Sequence, residues 1–376
     1  MSVRRLTWSQ VRARRLQRHS LVVRSPSSAL VEVVRATCGV HAQVQASAEL
    51  QLAARVREVT QADVRTALWE TRSLVKAWTL RGTLHLHPAD ELPLWLGATR
   101  SGEVSEMAEW TDPNGVVHAP LDRGAVAEIR AAVLDALDGR CLLREELAQE
   151  VVQRVGAEVG GRLLSGFAFF GGAELCQGPP QGSKITLARA DQWVEDWADV
   201  DEQDALREAC RRFLRAYGPA RPADFRTWLR SRAFEASDAR AVFESLELEE
   251  VDVEGHRAFA VAGDGRFPSP RPTVRLLPEY DAYVMGFRER DQLVPAAVRE
   301  QIAQHGRGRY EGPAGIRLLM IDGTAAGLWE RRKRGKRVEL TVTPAVKLTR
   351  AQRSAVEEEA ARIGAFLAAK PALAFG

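Results

Sequence analysis

Three times along this chain a run of helices ends in two short strands joined by a tight turn, and that recurrence restricts the possible folds more than any single motif does. In the first run, residues 5–19 are basic and helical, 28–37 are apolar at helical spacing, 47–55 add a further helical stretch, and Thr60-Gln61-Ala62-Asp63 starts another helix with a capping residue. Strands over 73–80 and 83–87, turned at Arg81-Gly82, follow. The order returns as helices at about 121–138, 142–154 and 160–170 before strands at 174–177 and 184–187, then as helices at about 202–217, 222–232 and 237–246 before strands at 246–253 and 256–261, turned at Glu254-Gly255. A linker rich in Gly and Pro over 263–272 ends this part. Short strands at 274–277, 316–321, 325–330 and 338–342, then an amphipathic helix over 349–369, read as a small β-barrel with a closing helix. The prediction is an α+β chain of three tandem winged-helix subdomains, at 1–118, 119–199 and 200–265, with a β-barrel at 266–376.

Length and composition exclude several classes. A chain of 376 residues, 45% hydrophobic, can bury a substantial core in two to four domains. No apolar run is long enough to span a bilayer, and Met1-Ser2-Val3-Arg4-Arg5 lacks the apolar segment of a signal peptide, which points to the cytoplasm. Cys38, Cys141, Cys176 and Cys210 are scattered without a paired spacing, so zinc, an iron–sulfur cluster and a disulfide framework are not expected; all four read as buried thiols. A formal charge of +3 rules out a bulk polycation, so local clustering of arginine matters more than the total.

Chemistry concentrates in few places. In Gln43-Val44-Gln45 an extended backbone would project both amides to one side and turn Val44 into the core. Such a pair grips a water molecule without titrating near neutral pH, so it positions water but hardly deprotonates it. The alternative is a polar pair on a half-buried strand edge. Arg331, Arg332, Lys333, Arg334, Lys336 and Arg337 place six positive side chains in seven residues around Gly335, which reads either as a hairpin finger against nucleic-acid phosphates or as a solvated charge run. His85 and His87 share a strand face; without a third ligand they are donors to phosphates or a packed corner, not a metal site. Glu279 and Asp281 have no evident partner carboxylate, and Asp281 reads as a structural acceptor. Phosphate-loop, nucleophile-elbow and His-Glu-x-x-His motifs are absent from the sequence.

Taken in order, His41-Ala42-Gln43-Val44-Gln45, Arg81-Gly82-Thr83-Leu84-His85-Leu86-His87-Pro88-Ala89-Asp90, Leu276-Leu277-Pro278-Glu279-Tyr280-Asp281-Ala282-Tyr283 and Asp322-Gly323-Thr324-Ala325-Ala326-Gly327-Leu328-Trp329 resemble the winged-helix DNA glycosylases of the AlkZ and YcaQ type over essentially the whole chain. The resemblance implies three winged helices and a β-barrel arranged as a C around DNA, with Gln43 and Gln45 as the catalytic Gln-apolar-Gln motif. It also implies DNA contacts from the His85-Leu86-His87 stretch and the basic hairpin. Members with two glutamines are similar to enzymes that protect producers of DNA-alkylating antibiotics. The expected substrate is double-stranded DNA carrying cationic alkylpurines, bulky N7-alkylguanines above all, with unhooking of interstrand crosslinks. The expected chemistry is monofunctional hydrolysis by a monomer without metal or cofactor, since no lysine adjoins the motif, although Lys76 remains a candidate amine. A non-catalytic winged-helix regulator or drug-sequestering protein would account for the helices and wings but gives the paired amides no role.

Overall fold

Most predicted elements form, and strands also form where the sequence announces none, those at 4–6 and 370–375 among them. The computed structural model describes residues 3–100, 110–111, 117–118, 120–156, 175–230, 234–305 and 312–376. The chain opens with β1 (Arg4–Leu6), α1 (Trp8–Arg18), α2 (Leu30–Ala36), β2 (Val40–His41), α3 (Gln45–Arg55) and α4 (Gln61–Trp69), then the hairpin β3 (Leu74–Trp78) and β4 (Leu84–Pro88), and α5 (Leu92–Arg100). The short pair β5 (Trp110–Thr111) and β6 (Val117–His118) precedes α6 (Arg123–Ala136), β7 (Leu142–Leu143), α7 (Arg144–Val155), the hairpin β8 (Leu175–Gln181) and β9 (Lys184–Arg189), and α8 (Ala190–Trp193). The helix expected over 160–170 lies outside the described residues. Next come α9 (Glu202–Tyr217), α10 (Pro222–Leu229), α11 (Ala236–Glu244) and the hairpin β10 (Leu248–Val253) and β11 (His256–Val261). The last part holds β12 (Val274–Leu277), α12 (Ala282–Gly286), α13 (Arg290–Leu293), α14 (Ala296–Gln304), β13 (Leu318–Ile321), β14 (Thr324–Arg334), β15 (Arg337–Pro344), α15 (Arg350–Phe366) and β16 (Lys370–Phe375).

Local chemistry explains the boundaries. Thr7 with Gln10 and Thr349 with Gln352 form capping boxes that start α1 and α15. Glu254 and Gly255, with φ of 49° and 88°, supply the two left-handed residues that a tight hairpin turn requires. Arg81 and Gly82 are likewise left-handed, at 60° and 66°, between β3 and β4.

The chain divides into two compact units. One comprises Met1–Arg65, Arg207–Trp228 and Ala236–Gly376; the other comprises Thr66–Leu206 and Leu229–Glu235. In the first unit β1 runs parallel to β10, joining the chain start to a hairpin far along the sequence, and Leu6, Trp8 and Val11 pack there on Val251, Val253 and Phe267. Its second sheet has the order β12-β13-β14-β15-β16 and is open, which corrects the expected closed barrel. The reason is topological: β15 leads through α15 into β16, which pairs parallel with β15, and α15 packs across the sheet. A helix-covered sheet has no need to close on itself. Tyr283, Val284, Phe287, Val298 and Ile302 pack with Leu16, Leu318 and Met320 as the core on which this sheet rests. Arg14 and Arg15 of the basic α1 are buried as well: Arg14 donates to Asp264 Oδ2 at 2.8 Å and Arg15 to the Pro219 carbonyl at 3.1 Å, so this helix is an internal strut.

In the second unit the strands follow the order β4-β3-β8-β9-β7. Ile129, Val133, Leu147 and Val151 of α6 and α7 pack on Leu175 and Leu187 of the β8–β9 hairpin, and Val75, Ala77 and Leu92 pack with Cys176 and Trp193. Cys38, Cys176 and Cys210 are buried as expected, whereas Cys141 is only half-buried. Burial pushes the thiols of Cys141, Cys176 and Cys210 upward and keeps them inert.

Candidate active site

The glutamines sit where a short strand becomes a helix. Val40 and His41 are extended, Gln43 is exposed in a bend, Val44 is the N-cap residue with φ −109° and ψ 104°, and half-buried Gln45 opens α3. Ser47 and Ala48 both donate backbone hydrogen bonds to the Val44 carbonyl, at 3.0 and 3.1 Å. Val44 is therefore 39% exposed and does not enter the core, a correction to the extended reading. The helix begins two residues after Gln43, so the strand alternation ends before it can apply.

Behind the glutamines, α3 is stitched to the segment that carries Glu279, Tyr280 and Asp281. Ser47, Gln51 and Arg55 recur every four residues, so they form one stripe on the helix, and all three are fully buried. Ser47 Oγ donates to the Glu279 carbonyl. Gln51 Nε2 donates to the His41 carbonyl while its Oε1 accepts from the Ala282 N–H, both at 3.0 Å. Arg55 forks onto Asp281 at 2.7 and 2.8 Å, with neither side chain exposed, and Asp281 also caps α12 through the Tyr283 N–H at 2.9 Å. Asp281 is thus the structural acceptor that its sequence context suggests. Between these fasteners Tyr280 adopts a left-handed φ of 58°, costly for an aromatic residue, with its N–H on the Ala314 carbonyl and its ring centroid 4.9 Å from that of His41.

One turn beyond Gln45 lies Glu49, 2% exposed. Its Oε1 accepts from Gln45 Nε2 at 3.2 Å and its Oε2 from Gln61 Nε2 at 2.6 Å. Glu279 instead pairs with Arg317 at 2.7 Å. A cavity of about 530 Å³ opens beside this pair, lined also by Trp329, His305 and Glu330.

Strand alternation splits the basic hairpin. Trp329, Arg331 and Lys333 of β14 stand opposite Val342, Leu340 and Val338 of β15, which are buried, so these two cations start from the inner face, Arg331 half-buried and Lys333 exposed. Burial, then the charge of Arg317, lowers the Arg331 guanidinium from its ordinary value, opposed by Glu279 and Glu49. Lys333 Nζ donates to the Leu367 carbonyl at 2.8 Å, just past α15. Arg332 faces Glu339 across the strands, which leaves Arg334, Lys336 and Arg337 at the turn beside Lys370. Because β16 accompanies β15 as far as Arg337, the projecting element is this turn and not a long free finger.

His85 and His87 lie on β4 with 1% and 0% exposure. The Arg81 guanidinium only donates, so at 2.8 Å His85 Nε2 accepts from it and His85 Nδ1 carries the proton toward the Thr83 carbonyl at 2.9 Å. His87 Nε2 bonds Thr79 Oγ1 at 2.8 Å and its ring stacks on Trp95. Both expected DNA-contacting rings are thus buried, and His85 orients an arginine. Lys76 is also buried, on β3. Among the described residues no cluster of His, Cys, Asp and Glu is placed to hold a metal, and no helix is long and apolar enough to cross a membrane.

Sequence reasoning missed Glu49 and the Ser47, Gln51, Arg55 stripe. The available signal was polar residues at spacings of four inside an otherwise apolar helix.

Comparison with known proteins identifies the class that this α+β fold and glutamine-bearing helix define, the DNA glycosylases. The family model described as DNA glycosylase AlkZ-like matches residues 34–366. A curated relative from Streptomyces sahachiroi, named interstrand DNA cross-link repair glycosylase, is 33% identical over 372 residues, 95% of each protein. The solved structure of Streptomyces sahachiroi DNA glycosylase AlkZ superposes with a TM-score of 0.78 at 30% identity, covering 99% of this chain and 100% of that one. The chain belongs to the AlkZ-like DNA glycosylase family. It is a DNA repair enzyme that removes bases from DNA.

Proposed function

We propose that this glycosylase hydrolyses the N-glycosidic bond of cationic alkylpurines, chiefly bulky N7-alkylguanines, with Gln43 and Gln45 holding the attacking water. The observation that carries the reading is the placement of two neutral amides at the solvent-facing start of α3, a helix whose remaining polar side chains are buried and fastened. A base alkylated at N7 is already cationic, so it leaves without protonation by an acid. Water oxygen bonds to C1′, the C1′–N9 bond breaks, its electron pair neutralises the purine ring, and the surplus water proton passes to solvent. What the protein must supply is a positioned water and fixed dipoles facing an oxocarbenium-like transition state, and amide carbonyls supply both.

The cavity beside Glu279 and Arg317 gives a bulky N7 substituent room outside a tight base pocket. Together with the cross-link repair named for the Streptomyces relative, this supports unhooking of interstrand crosslinks and self-resistance to a DNA-alkylating natural product. The DNA-contacting cations in this reading are Arg332, Arg334, Lys336 and Arg337 of the hairpin and Arg81, held by His85. The chain acts as a cytoplasmic monomer, with its helix-and-hairpin sets at 1–118, 119–199 and 200–265 working as winged helices on the duplex. A non-catalytic regulator is disfavoured by the family and by the amide pair. The test is release of base from a duplex with N7-alkylguanine under single-turnover conditions: Gln43→Ala and Gln45→Ala each lower the rate by about 10²-fold with little change in DNA affinity. Rates close to wild type in both variants would refute the assignment.

A further inference from the structure

We propose that Glu49 is a positioning residue for base excision, fixing which end of the Gln45 amide faces the reacting nucleotide; this rests on the reading of Gln45 as a water-holding residue. An amide has two nearly isosteric ends, one that donates and one that accepts. A carboxylate only accepts. With Glu49 Oε1 at 3.2 Å, the end of Gln45 directed at it is the NH₂, and the carbonyl oxygen necessarily points from the other side of the amide plane. A flipped amide would set two acceptors against each other. The end turned away from Glu49 is thus the one that accepts a hydrogen of water and turns a lone pair of that water toward C1′.

Three features separate Glu49 from an ordinary buried acid. First, the side chains that hydrogen-bond to it are both amides, with Arg331 acting on it through charge, whereas Asp224, Glu279, Asp281 and Glu359, the other buried carboxylates among the described residues of this unit, each bond an arginine directly. The hydrogen bonds of Glu49 go to neutral groups, whose orientation they set. Second, Gln61 grips its other oxygen at 2.6 Å from the start of α4, which prevents the carboxylate from rotating away. Third, the N-terminus of α3 carries partial positive charge, unfavourable to a cationic transition state nearby, and a carboxylate one turn into the helix counters it.

The experiment compares Glu49→Gln, Gln45→Ala and the double variant in single-turnover excision of N7-methylguanine from duplex DNA, with duplex affinity and melting temperature recorded for each. Glutamine at 49 keeps the volume, but with its carbonyl taken by the Gln61 Nε2 donor its NH₂ faces Gln45 and favours the flipped amide, with the Gln45 carbonyl directed at position 49. The expected result is a rate about 10- to 10²-fold below wild type with affinity unchanged, and an additional loss of less than about threefold when Gln45→Ala is already present, because no amide remains to orient. Gln61→Ala, at a half-buried position, provides a second variant should Glu49→Gln not fold; it slows excision less, by about three- to tenfold, and its effect likewise vanishes in the Gln45→Ala background. Excision near wild type in the position-49 and position-61 variants, or the same loss in both backgrounds, overturns the role of Glu49 while leaving Gln45 standing. A Gln45→Ala enzyme as fast as wild type overturns the reading of Gln45, and the proposal with it.

Discussion

At the scale of single residues, the fold tolerates only one charge state at His19. The ring is fully buried, edge-on to Tyr217 at 4.9 Å and near Tyr283. Burial, then the charge of Arg55, holds its pKa well below the ordinary 6.5, with the Ala216 backbone opposing weakly. The unfolded chain takes up a proton below that ordinary value and the folded chain does not, so this contribution to stability is intact above pH 6.5 and is lost as the pH falls toward the depressed folded pKa. The melting temperature of wild type is expected to fall between pH 7.5 and pH 5 more steeply than that of His19→Gln, which cannot titrate; parallel slopes would show that His19 is not the sensor. Arg55 supports the site differently. Arg55→Met leaves Asp281 buried and unpaired, for an expected loss of about 3–5 kcal/mol in denaturant unfolding, and Arg55→Met with Asp281→Leu should recover part of it. If the single and double variants unfold alike, the pair is not what fastens α3 to the Tyr280 segment.

At the scale of elements, the cation run of the hairpin divides by the period of a β-strand. Replacing Arg334, Lys336 and Arg337 with Ser should shallow the slope of log K against log salt for duplex binding by about 0.9 for each phosphate no longer neutralised, with melting unchanged. Lys333→Ser should do the reverse: its ammonium holds the carbonyl of Leu367 past the end of α15, so stability falls and the salt slope stays. Equal salt slopes for wild type and the turn variant would make the turn an ordinary solvated loop. The hairpin itself was legible because Gly335 separates two alternating runs, and the β10–β11 turn because Glu254-Gly255 suits left-handed backbone. β16 was not: Lys370-Pro371-Ala372-Leu373-Ala374-Phe375 follows a helix without a break in apolar character, and what makes it a strand is its pairing with β15, a partner that local sequence does not name. The same holds for β1, which pairs with β10, and for Arg14, whose burial depends on Asp264. In the site, the glutamines were legible as a polar pair, but the start of α3 between them and the buried role of Glu49 depend on packing that the spacing alone does not encode.

At the scale of the whole molecule, every part of the proposed reaction is done by dipoles and placement, and that has a consequence for what the enzyme requires. The proposed substrate brings the positive charge that other glycosidic bonds acquire from an acid or a Lewis acid, so excision should proceed at an unchanged rate after dialysis against a chelator. Lys76 is buried on β3, which disfavours it as the amine of a Schiff base. The product should therefore be duplex DNA with an intact abasic site, and borohydride should trap no covalent protein–DNA complex. The crosslink case is the more demanding one, because the second strand tethers the adduct and the base cannot be withdrawn into an enclosed pocket. The turn variant at Arg334, Lys336 and Arg337 is expected to lose crosslink unhooking by a larger factor than excision of N7-methylguanine, since a tethered adduct leaves the hold on the backbone more of the work of presenting C1′ to the water. Equal losses on the two substrates would mean that the turn serves general affinity alone. Chelator-sensitive excision, or a trapped covalent complex, would instead show that the reaction draws on a metal or a nucleophile beyond the amide pair.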